Sequence, residues 1–546
     1  MKHKIIIIIL LVSCNLQFTT KCFSQNWEWS AVFQSGISTG NPFCKIDNQK
    51  NTYIASLFRY QLSPQGIMSN GDNDIFIAKY DPNGSLVWIK NFGGYNPPPT
   101  NPNQILYVEQ PMELFVDTIS NYIYLAGIFY GTAQFGSYSI STYPTQNTSY
   151  FILKLDFNGN VEWVQRTPIA ISGFASNNSG NLFFCGNKNN SYQIDSINIL
   201  SNGRCIVKYN NSGNCIWAKR ISDDISPRDI KILSNNIFLN GTTINDTIRI
   251  DTIVRYVPNN TFWSFNACFN MEGNVKWFNI YGGYNSSCGL DFSVDKECNI
   301  YTTGYFTETG YFGNDTLVAN AGQKNMFLAK QDSIGNFQWV KKISAASSIG
   351  NSVSNVVDST FYVTGWFNGI AYFNDSVSAG TEQDMFVAKY NTNGTCLAVN
   401  NFGKAEGRYV LQDKENSAYI AGGFYSNITI GNDSYSLYAS CDIFLAKLTG
   451  TTGIGEKNML LPMGSLLTIY ANPNTGKCDI AIPEEFRNET NLILKIYDLQ
   501  GKEIQQAKIE MFENKIKLNI EAEAKGVYNA VLTNGKKNYT GKIIFE

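Results

Sequence analysis

Between about residues 26 and 450 of this 546-residue chain, one short motif recurs at a nearly constant interval. Its fullest form is Asp-x-Phe-x-Ala-Lys-x-Asp-x-x-Gly-x-x-x-Trp, with the clearest copies at 74–88, 325–339 and 384–398. The motif glycines, roughly 60 residues apart, are Gly84, Gly159, Gly213, Gly273, Gly335 and Gly394. Tryptophan follows each glycine by four positions, except after Gly394, where Ala398 stands. A fixed period of this kind is typical of a repeat protein whose units pack on their neighbours.

Each repeat predicts four β-strands. In one unit the strands are expected at 229–233, 237–243, 264–270 and 275–281. The turn before the last strand reads Asp/Asn-x-x-Gly, in which the polar side chain opens the turn and glycine takes a left-handed conformation. An aromatic content of 14 % and a three-fold excess of glycine over proline suit pleated sheets joined by tight turns. Four-stranded units of this length predict an all-β fold, a β-propeller.

The two ends of the repeat region predict the number of blades. The seventh aromatic strand, at 442–447, has no tryptophan strand after it. The segment that begins at Trp27 and Trp29 resembles the missing strand. We therefore expect the N-terminal strand to complete the last blade, which gives seven blades over residues 25–450 and leaves no open sheet edge.

These repeats resemble the β-propeller repeats (SBBP-like) of secreted and surface proteins from Bacteroidetes-type bacteria. The resemblance rests on the motif quoted above and covers most of the chain. It implies a propeller in which each tryptophan ring packs between two blades.

The first 24 residues predict an export signal. A basic start at 2–4 precedes an apolar run at 5–12 that is too short to span a bilayer. Two ways of processing remain open: cleavage between Ser24 and Gln25, or attachment of a lipid to Cys14 in a lipobox-like Leu-Val-Ser-Cys sequence. No later segment is long and apolar enough to predict a transmembrane span.

Several functional classes are disfavoured by composition. The single histidine, His3, lies inside the predicted signal, so the exported protein lacks the residue used in Ser-His-Asp catalysis and in histidine-ligated zinc sites. The cysteines show no C-x-x-C spacing, and we expect mostly buried thiols, with one or two disulfides as the alternative. A formal net charge of −2 without a basic stripe disfavours nucleic acid as a partner. We predict no catalytic residue, no cofactor and no metal site.

Five aspartates are expected where first strands end. A ring of carboxylates around a channel is suited to binding cations or to acid and base catalysis. Each aspartate also precedes a tight turn, where its side chain caps backbone N–H groups, and we favour that structural interpretation. The five are Asp47, Asp117, Asp295, Asp358 and Asp413.

One insertion stands out among the connections between blades. The interval from Trp88 to Tyr124 is the longest of its kind and is rich in proline. Because loops on a rigid scaffold often carry recognition, Tyr95, Asn96 and Tyr107 are our candidate ligand-binding residues. The alternative is a dispensable insertion.

The C-terminal residues 463–546 form a second predicted domain after a linker at 451–462. Four motif blocks occur there, formed by Tyr470, Asn472, Pro473 and Gly476; by Asp498, Gly501 and Lys502; by Gly526 and Tyr528; and by Lys542. In that order they resemble the type A sorting domain of the type IX secretion system, with Ala471 in a place where proline is usual. The resemblance implies a small β-sandwich that the outer-membrane export machinery recognises and usually removes. The alternative is an ordinary β-sandwich module.

These expectations point to a secreted or outer-membrane surface-attached protein. We expect a non-catalytic binding or adhesion module that recognises a glycan or a protein. The alternatives are a carboxylate-dependent polysaccharide hydrolase or lyase that uses acids in the central channel, and a purely architectural surface component.

Overall fold

A computed structural model shows two compact units, residues 26–449 and residues 1–25 with 450–546. The structure describes residues 24–35, 41–94, 109–144, 146–188, 203–243, 247–257, 262–283, 286–373, 376–378, 383–451, 467–471, 474–487, 491–498, 503–509, 515–523, 525–534 and 538–545.

The long strands of the larger unit's described part form seven antiparallel sets of four, the blades of a propeller. The last blade and the first are joined into one eight-stranded sheet, and the fourth blade is extended to six strands by a hairpin of the fifth. The first described strand is β1 (Ser24–Ser35), which belongs to the last blade. Blade 1 contains β2 (Phe43–Ile46), β3 (Thr52–Ser63), β4 (Ile67–Tyr80) and β5 (Leu86–Phe92). Blade 2 contains β6 (Gln110–Asp117), β7 (Tyr122–Tyr130), the hairpin β8 (Thr132–Phe135) and β9 (Tyr138–Ser141), β10 (Thr148–Asp156) and β11 (Val161–Thr167). Blade 3 contains β12 (Ile169–Ser176), β13 (Leu182–Lys188), β14 (Gly203–Tyr209) and β15 (Cys215–Ser222).

The other blades repeat this order. Blade 4 contains β16 (Ile225–Leu233), β17 (Asn236–Thr243), the hairpin β18 (Thr247–Ile250) and β19 (Ile253–Tyr256), β20 (Trp263–Asn270) and β21 (Val275–Gly283). Blade 5 contains β22 (Ser287–Val294), β23 (Ile300–Phe306), the hairpin β24 (Thr309–Phe312) and β25 (Asp315–Val318), β26 (Asn325–Gln331) and β27 (Phe337–Lys342). Blade 6 contains β28 (Ser347–Val353), β29 (Thr360–Asn368), the hairpin β30 (Ile370–Tyr372) and β31 (Ser376–Ser378), β32 (Asp384–Asn391) and β33 (Cys396–Asn401). Blade 7 contains β34 (Ala405–Gln412), β35 (Ala418–Phe424), the hairpin β36 (Ile428–Ile430) and β37 (Asp433–Tyr435), β38 (Asp442–Thr451) and β1.

The N-terminal strand supplies the fourth strand of blade 7, as its sequence predicts. The Lys447 ammonium lies 2.9 Å from the Glu28 carboxylate. At the other end of the pair, the Gln34 amide donates to the Asp442 carboxylate at 2.9 Å. These contacts make β1 antiparallel to β38, so that β1 starts and β38 ends at the same end of the blade.

The two ends of the blades form two faces of the propeller, the turn face and the hairpin face. The turn face carries the turns between strands 1 and 2 and between strands 3 and 4 of each blade. The hairpin face carries the connections between strands 2 and 3, and in five blades these contain one of the short hairpins described above. The start of β1 and the end of β38 lie on the turn face, because the Trp29 indole N–H donates to the carbonyl of Pro82 in the 3–4 turn of blade 1 at 3.0 Å.

The repeated tryptophans wedge adjacent blades together, as the sequence predicts. Each ring lies against the turn glycine of the next blade, so close that an added Cβ would fall 2.5–3.3 Å from the ring. The pairs are Trp29 with Gly84, Trp88 with Gly159, Trp163 with Gly213, Trp217 with Gly273, Trp277 with Gly335, and Trp339 with Gly394. All six glycines have φ between +76° and +89°, a conformation that other residues resist. The spacing of glycine and tryptophan therefore encodes both the turn and its contact with the preceding blade.

Ala398, the exception in the series, is explained by the closure of the ring. Its strand, β33, precedes blade 7, whose third and fourth strands come from opposite ends of the chain. Blade 7 therefore has no 3–4 turn against which a ring could pack. Hydrogen bonds occupy this seam instead, including one from the Tyr362 hydroxyl to the carbonyl of Asn416 at 3.0 Å and one from the Asn351 amide to the carbonyl of Gly407 at 2.8 Å.

The hairpin face has a second set of contacts between blades. The end of a fourth strand pairs with the 2–3 connection of the next blade, as in the pairs Gln34 with Ser63, Gly93 with Gln134, Gly283 with Gly310, and Ser344 with Tyr372. The first residue of the motif fixes these connections from within. Asp74 accepts a hydrogen bond from the backbone N–H of Asn70 at 2.9 Å, and Asp442 accepts one from that of Tyr438 at 2.7 Å.

The described part of the smaller unit contains two sheets, in agreement with the predicted β-sandwich. Its elements are β39 (Ile469–Tyr470), β40 (Lys477–Ala481), a 3₁₀ turn (Glu484–Phe486), β41 (Leu492–Tyr497), β42 (Glu503–Ile509), β43 (Lys515–Asn519), β44 (Gly526–Thr533) and β45 (Asn538–Phe545). One sheet has the order β39-β40-β43 and the other β42-β41-β44-β45. Apolar residues of both, such as Ile480, Ile496, Leu518 and Leu532, form one buried core.

Candidate functional site

The first strands of all seven blades line one cavity of about 1040 Å³ around the axis of the propeller. In six of these strands a β-bulge adds one residue that lines the cavity. The bulged residues are Met112, Ser172, Arg228, Leu290, Asn351 and Arg408. Because this position carries a different residue in almost every blade, the channel is not symmetric in its chemistry.

Charged groups of opposite sign meet inside the channel. The Lys45 ammonium lies 3.6 Å from the Glu113 carboxylate of the next blade, and the Lys231 ammonium lies 2.5 Å from Asp229. Asp291 accepts hydrogen bonds from the Ser352 hydroxyl at 2.7 Å and from the backbone N–H of Val353, which lies in the same strand as Ser352. These contacts join blade 1 to blade 2 and blade 5 to blade 6 at the axis.

The channel shifts the protonation of its groups. Burial raises the pKa of Glu113 to about 7, because it outweighs the opposing effect of Lys45. For Lys231, burial lowers the pKa, but the charges of Asp229 and Asp291 more than compensate and hold it above its usual value. Burial also raises the pKa of Asp291. The channel thus combines a lysine that stays protonated with a carboxyl that titrates near neutral pH.

Three of the five sequence-predicted aspartates have the geometry of turn caps. Asp47 accepts backbone N–H bonds from Gln49 at 2.8 Å and Asn51 at 2.9 Å, and a bond from the Tyr53 hydroxyl at 3.0 Å. The same contacts recur at Asp295, with Tyr301, and at Asp413, with Tyr419. Most of their acceptor capacity is therefore used within the turn.

The other two aspartates deviate from this pattern. Asp117 caps its turn through Ile119 and Ser120, and no tyrosine hydroxyl is bonded to it among the described residues. The expectation that Asp358 is equivalent to the others was wrong. It lies inside a longer turn with φ +46°, and its carboxylate accepts a hydrogen bond from the Asn416 amide at 3.2 Å.

The exposed aromatic residues of the propeller are concentrated on one face. Among the described residues, seven of the eight exposed tyrosines and phenylalanines of this unit lie in a connection between strands 2 and 3, and the eighth, Tyr60, lies near the end of β3 that leads into such a connection. These residues are Tyr60, Tyr138, Tyr256, Phe262, Tyr311, Tyr372, Tyr425 and Tyr438. The large apolar side chains exposed on the turns of the other face are aliphatic, such as Ile119 and Ile334. Sequence reasoning missed this asymmetry, because nothing in the composition separates exposed from buried tyrosines.

The other sequence candidates are placed as follows. Tyr95, Asn96 and Tyr107 lie outside the described residues, so the ligand-loop hypothesis stays a prediction. Ser24 and Gln25 form the start of β1, and cleavage between them also stays a prediction, as does lipid attachment at Cys14, which lies outside the described residues.

The sorting-domain candidates are distributed over the smaller unit. Tyr470 ends β39 and is exposed, whereas Tyr528 is buried in the core. Gly476 has φ +95°, and a Cβ there would lie 2.8 Å from the Glu521 side chain. Asp498 follows β41, Gly526 begins β44 and Lys542 lies in β45. Asn472, Pro473, Gly501 and Lys502 lie outside the described residues.

Cysteine and metal chemistry can be judged for the described part of the chain. Its ten cysteines are free thiols, and seven of them are buried. Burial raises the pKa of such thiols, to about 12 for Cys44 and Cys205, which makes them poor nucleophiles. Within the described ranges, no three histidine, cysteine or acidic side chains come together as metal ligands. No helix found in those ranges is long and apolar enough to cross a membrane.

Comparison with known proteins identifies the tail. Residues 468–546 match the family described as secretion system C-terminal sorting domain. These residues are a sorting domain. The sorting domain indicates that the protein is exported to the cell surface or the medium and that it contacts the secretion machinery.

The chain is similar at low sequence identity to other known proteins. An uncharacterized WD repeat-containing protein of Acanthamoeba polyphaga mimivirus is 27 % identical over 152 residues, which cover 24 % of this chain and 11 % of that protein's length. The solved Dos1 propeller is 8 % identical with a TM-score of 0.38, covering 77 % of this chain and 94 % of its own. The WD40 β-propeller domain of Doa1 is 7 % identical with a TM-score of 0.37, and the match covers 78 % of this chain and 97 % of the Doa1 chain.

Proposed function

We propose that this protein is an exported, non-catalytic binding module that recognises a glycan or a protein through its hairpin face. The observation that carries the proposal is that the exposed tyrosine and phenylalanine rings among the described residues lie at the hairpin end of the blades. Exposed aromatic side chains offer large contact areas with few rotatable bonds, and tyrosine adds a hydroxyl for hydrogen bonding. Scattered surface exposure would distribute such rings over both faces.

Several of these rings lie on hairpins that are hydrogen-bonded to neighbouring strands, which favours binding. Each hairpin with a described partner pairs with the preceding blade or packs on its own fourth strand, as when the Tyr138 hydroxyl donates to the carbonyl of Glu162 at 3.0 Å. A surface held in its binding conformation loses less entropy when a ligand docks. The hairpin face therefore has the preorganisation that a recognition surface needs.

The channel supports a structural role better than a catalytic one. Its lysines lie against carboxylates from the same or adjacent blades, and Asp291 is held by Ser352. Buried charges compensated in this way fix the arrangement of the first strands.

A carboxylate-dependent hydrolase or lyase remains the second candidate, and one observation favours it. Glu113, whose pKa burial raises to about 7, lines the same channel as Asp229 and Asp291, and sugar-cleaving enzymes use pairs of carboxyl groups. Glu113→Gln separates the candidates, since it abolishes product release by an enzyme and leaves a hairpin-face binder intact.

The proposal is tested by measuring binding of the purified full-length protein to an array of polysaccharides and bacterial surface proteins. The double variant Tyr256→Ala with Tyr438→Ala removes two rings that are 79 % and 70 % exposed. Ile334→Ala, at a side chain 65 % exposed on the turn face, is the matched control. We expect a saturable ligand whose binding is weakened by the double variant and unchanged by the control. Equal binding by all three proteins would contradict the assignment to the hairpin face, and a lack of any ligand would favour the architectural alternative.

A further inference from the structure

We propose that the ligand of the hairpin face is a neutral polysaccharide of repeating units, held by several blades at once. This inference rests on the proposed function and specifies its ligand. The alternatives are one small glycan in one cleft, an acidic polymer and a folded protein.

The exposed rings are spread over several blades. They lie in the described connections of blades 2, 4, 5, 6 and 7 and, in blade 1, near the end of β3 that leads into the connection, and most of the blade 3 connection lies outside the described residues. Strands in a blade are about 4.8 Å apart, so the connections between strands 2 and 3 on opposite sides of the ring are separated by about 14 Å plus the distance between the first strands across the channel. A short oligosaccharide therefore does not reach the rings of opposite blades at once, whereas a polymer does.

A second argument is the chemistry between the rings. Residues 131–147, which connect strands 2 and 3 of blade 2, contain no charged side chain, and residues 425–441 in blade 7 contain only Asp433. Exposed hydroxyls pair across the hairpins, Thr132 with Ser141 at 2.8 Å and Thr429 with Ser434 at 3.0 Å. Aromatic faces for C–H groups, with hydroxyl and amide groups between them, suit uncharged sugars. A polyanion needs clustered lysine and arginine, which these two connections lack, and in the blade 4 connection Arg249 and Arg255 are matched in number by Asp246 and Asp251.

Binding affinity also favours contacts with several blades over contact with one. Loss of one stacking ring changes affinity by about 2–10-fold, so a single blade binds weakly. Linked contacts raise the overall affinity by about 10²–10⁴-fold without any new type of contact. A ring of similar weak sites therefore favours a ligand that is itself repetitive.

The test compares polymers with their own fragments. Binding of the full-length protein is measured to mannan, dextran and laminarin, to the tetrasaccharide of each, and to polygalacturonate. We expect at least one neutral polymer to bind about 100-fold more tightly than its tetrasaccharide. Tyr256→Ala, Tyr372→Ala and Tyr438→Ala should each weaken polymer binding by about 2–10-fold, and the triple variant by more than any single one. Ile334→Ala should bind normally, and circular dichroism confirms that every variant is folded.

Each other result overturns the inference in a recognisable way. Equal affinity for a tetrasaccharide and its polymer contradicts binding across blades, and preference for polygalacturonate contradicts a neutral ligand. In both cases the proposed binding function survives if the tyrosine variants lose affinity. If a protein binds and none of the glycans does, this inference is also refuted, but the proposed function is retained. If no glycan and no surface protein binds, the proposed function itself fails.

Discussion

Replacement of Gly84 by alanine tests how the ring is closed. Gly84 lies in the 3–4 turn of blade 1 at φ +82°, and a Cβ there would fall 2.5 Å from the Trp29 ring of the N-terminal strand. A left-handed conformation costs an alanine about 1–2 kcal/mol. Overpacking against a confined ring costs about 1–3 kcal/mol more. We therefore expect Gly84→Ala to lower the free energy of unfolding by about 2–5 kcal/mol.

Gly403→Ala is the matched control. Gly403 also has a positive φ, +59°, but nothing lies within 4 Å of the position that its Cβ would occupy. It should therefore show the conformational cost alone, about 1–2 kcal/mol. The double variant Trp29→Ala with Gly84→Ala isolates the remaining part, since the alanine at 84 no longer meets a ring and its added cost should fall to that of the control.

The assay is urea denaturation followed by tryptophan fluorescence and by far-ultraviolet circular dichroism, which together show whether the propeller unfolds in one step. The reasoning is refuted if Gly84→Ala and Gly403→Ala lose the same stability. It is also refuted if removing the Trp29 ring leaves the cost of Gly84→Ala unchanged. Either result would mean that the N-terminal strand is not seated against blade 1.

Three further outcomes follow from the same structure. Trp339→Ala should lower the free energy of unfolding, measured by urea denaturation, by about 2–4 kcal/mol, because packing and a hydrogen bond are lost. Ala398→Trp should not raise the free energy of unfolding, because blade 7 has no 3–4 turn against which the new ring could pack. A stabilised Ala398→Trp variant would contradict this. Burial raises the pKa of Glu109 to about 8 and that of Glu113 to about 7, so the folded protein binds these protons more tightly than the unfolded chain does. The thermal unfolding midpoint should therefore rise as the pH falls from 8 to 5. Glutamine at both positions should make the midpoint less dependent on pH. Lys231→Met leaves the neighbouring aspartates without a compensating charge in the channel and should lower the free energy of unfolding by about 3–5 kcal/mol. A urea midpoint like that of the parent protein would show instead that water already screens the channel charges.

Much of the architecture is local information and is therefore legible in the sequence. The glycine of each 3–4 turn has to adopt positive φ, and the tryptophan four residues later has to cover the neighbouring turn, so both recur with fixed spacing. The two-residue match at Trp27 and Trp29 is sufficient to predict closure, because the fourth strand of the last blade has nowhere else to come from. The break at Ala398 is also visible in the sequence, but its reason requires knowing which blade follows it in the closed ring.

The channel and the hairpin face could not be predicted in the same way. Lys45, Glu113, Asp229, Lys231 and Asp291 come from four different blades and occupy positions at which the repeats differ. A comparison of repeats emphasises what they share, so it hides such residues, and only the closed ring brings them together. Exposure of the hairpin rings depends on which side of a short hairpin packs inward, and the periodicity of the longer strands does not determine it.

The positions of the two ends of the propeller have a mechanical consequence. β1 starts and β38 ends on the turn face, so a force applied through either end enters the propeller there, on the side away from the exposed rings. Under the proposed function, a ligand bound at the hairpin face pulls from the opposite end of the blades. The load then runs along the strands and perpendicular to their hydrogen bonds, which share it. Such a pull has to shear a whole blade, rather than open its bonds one after another.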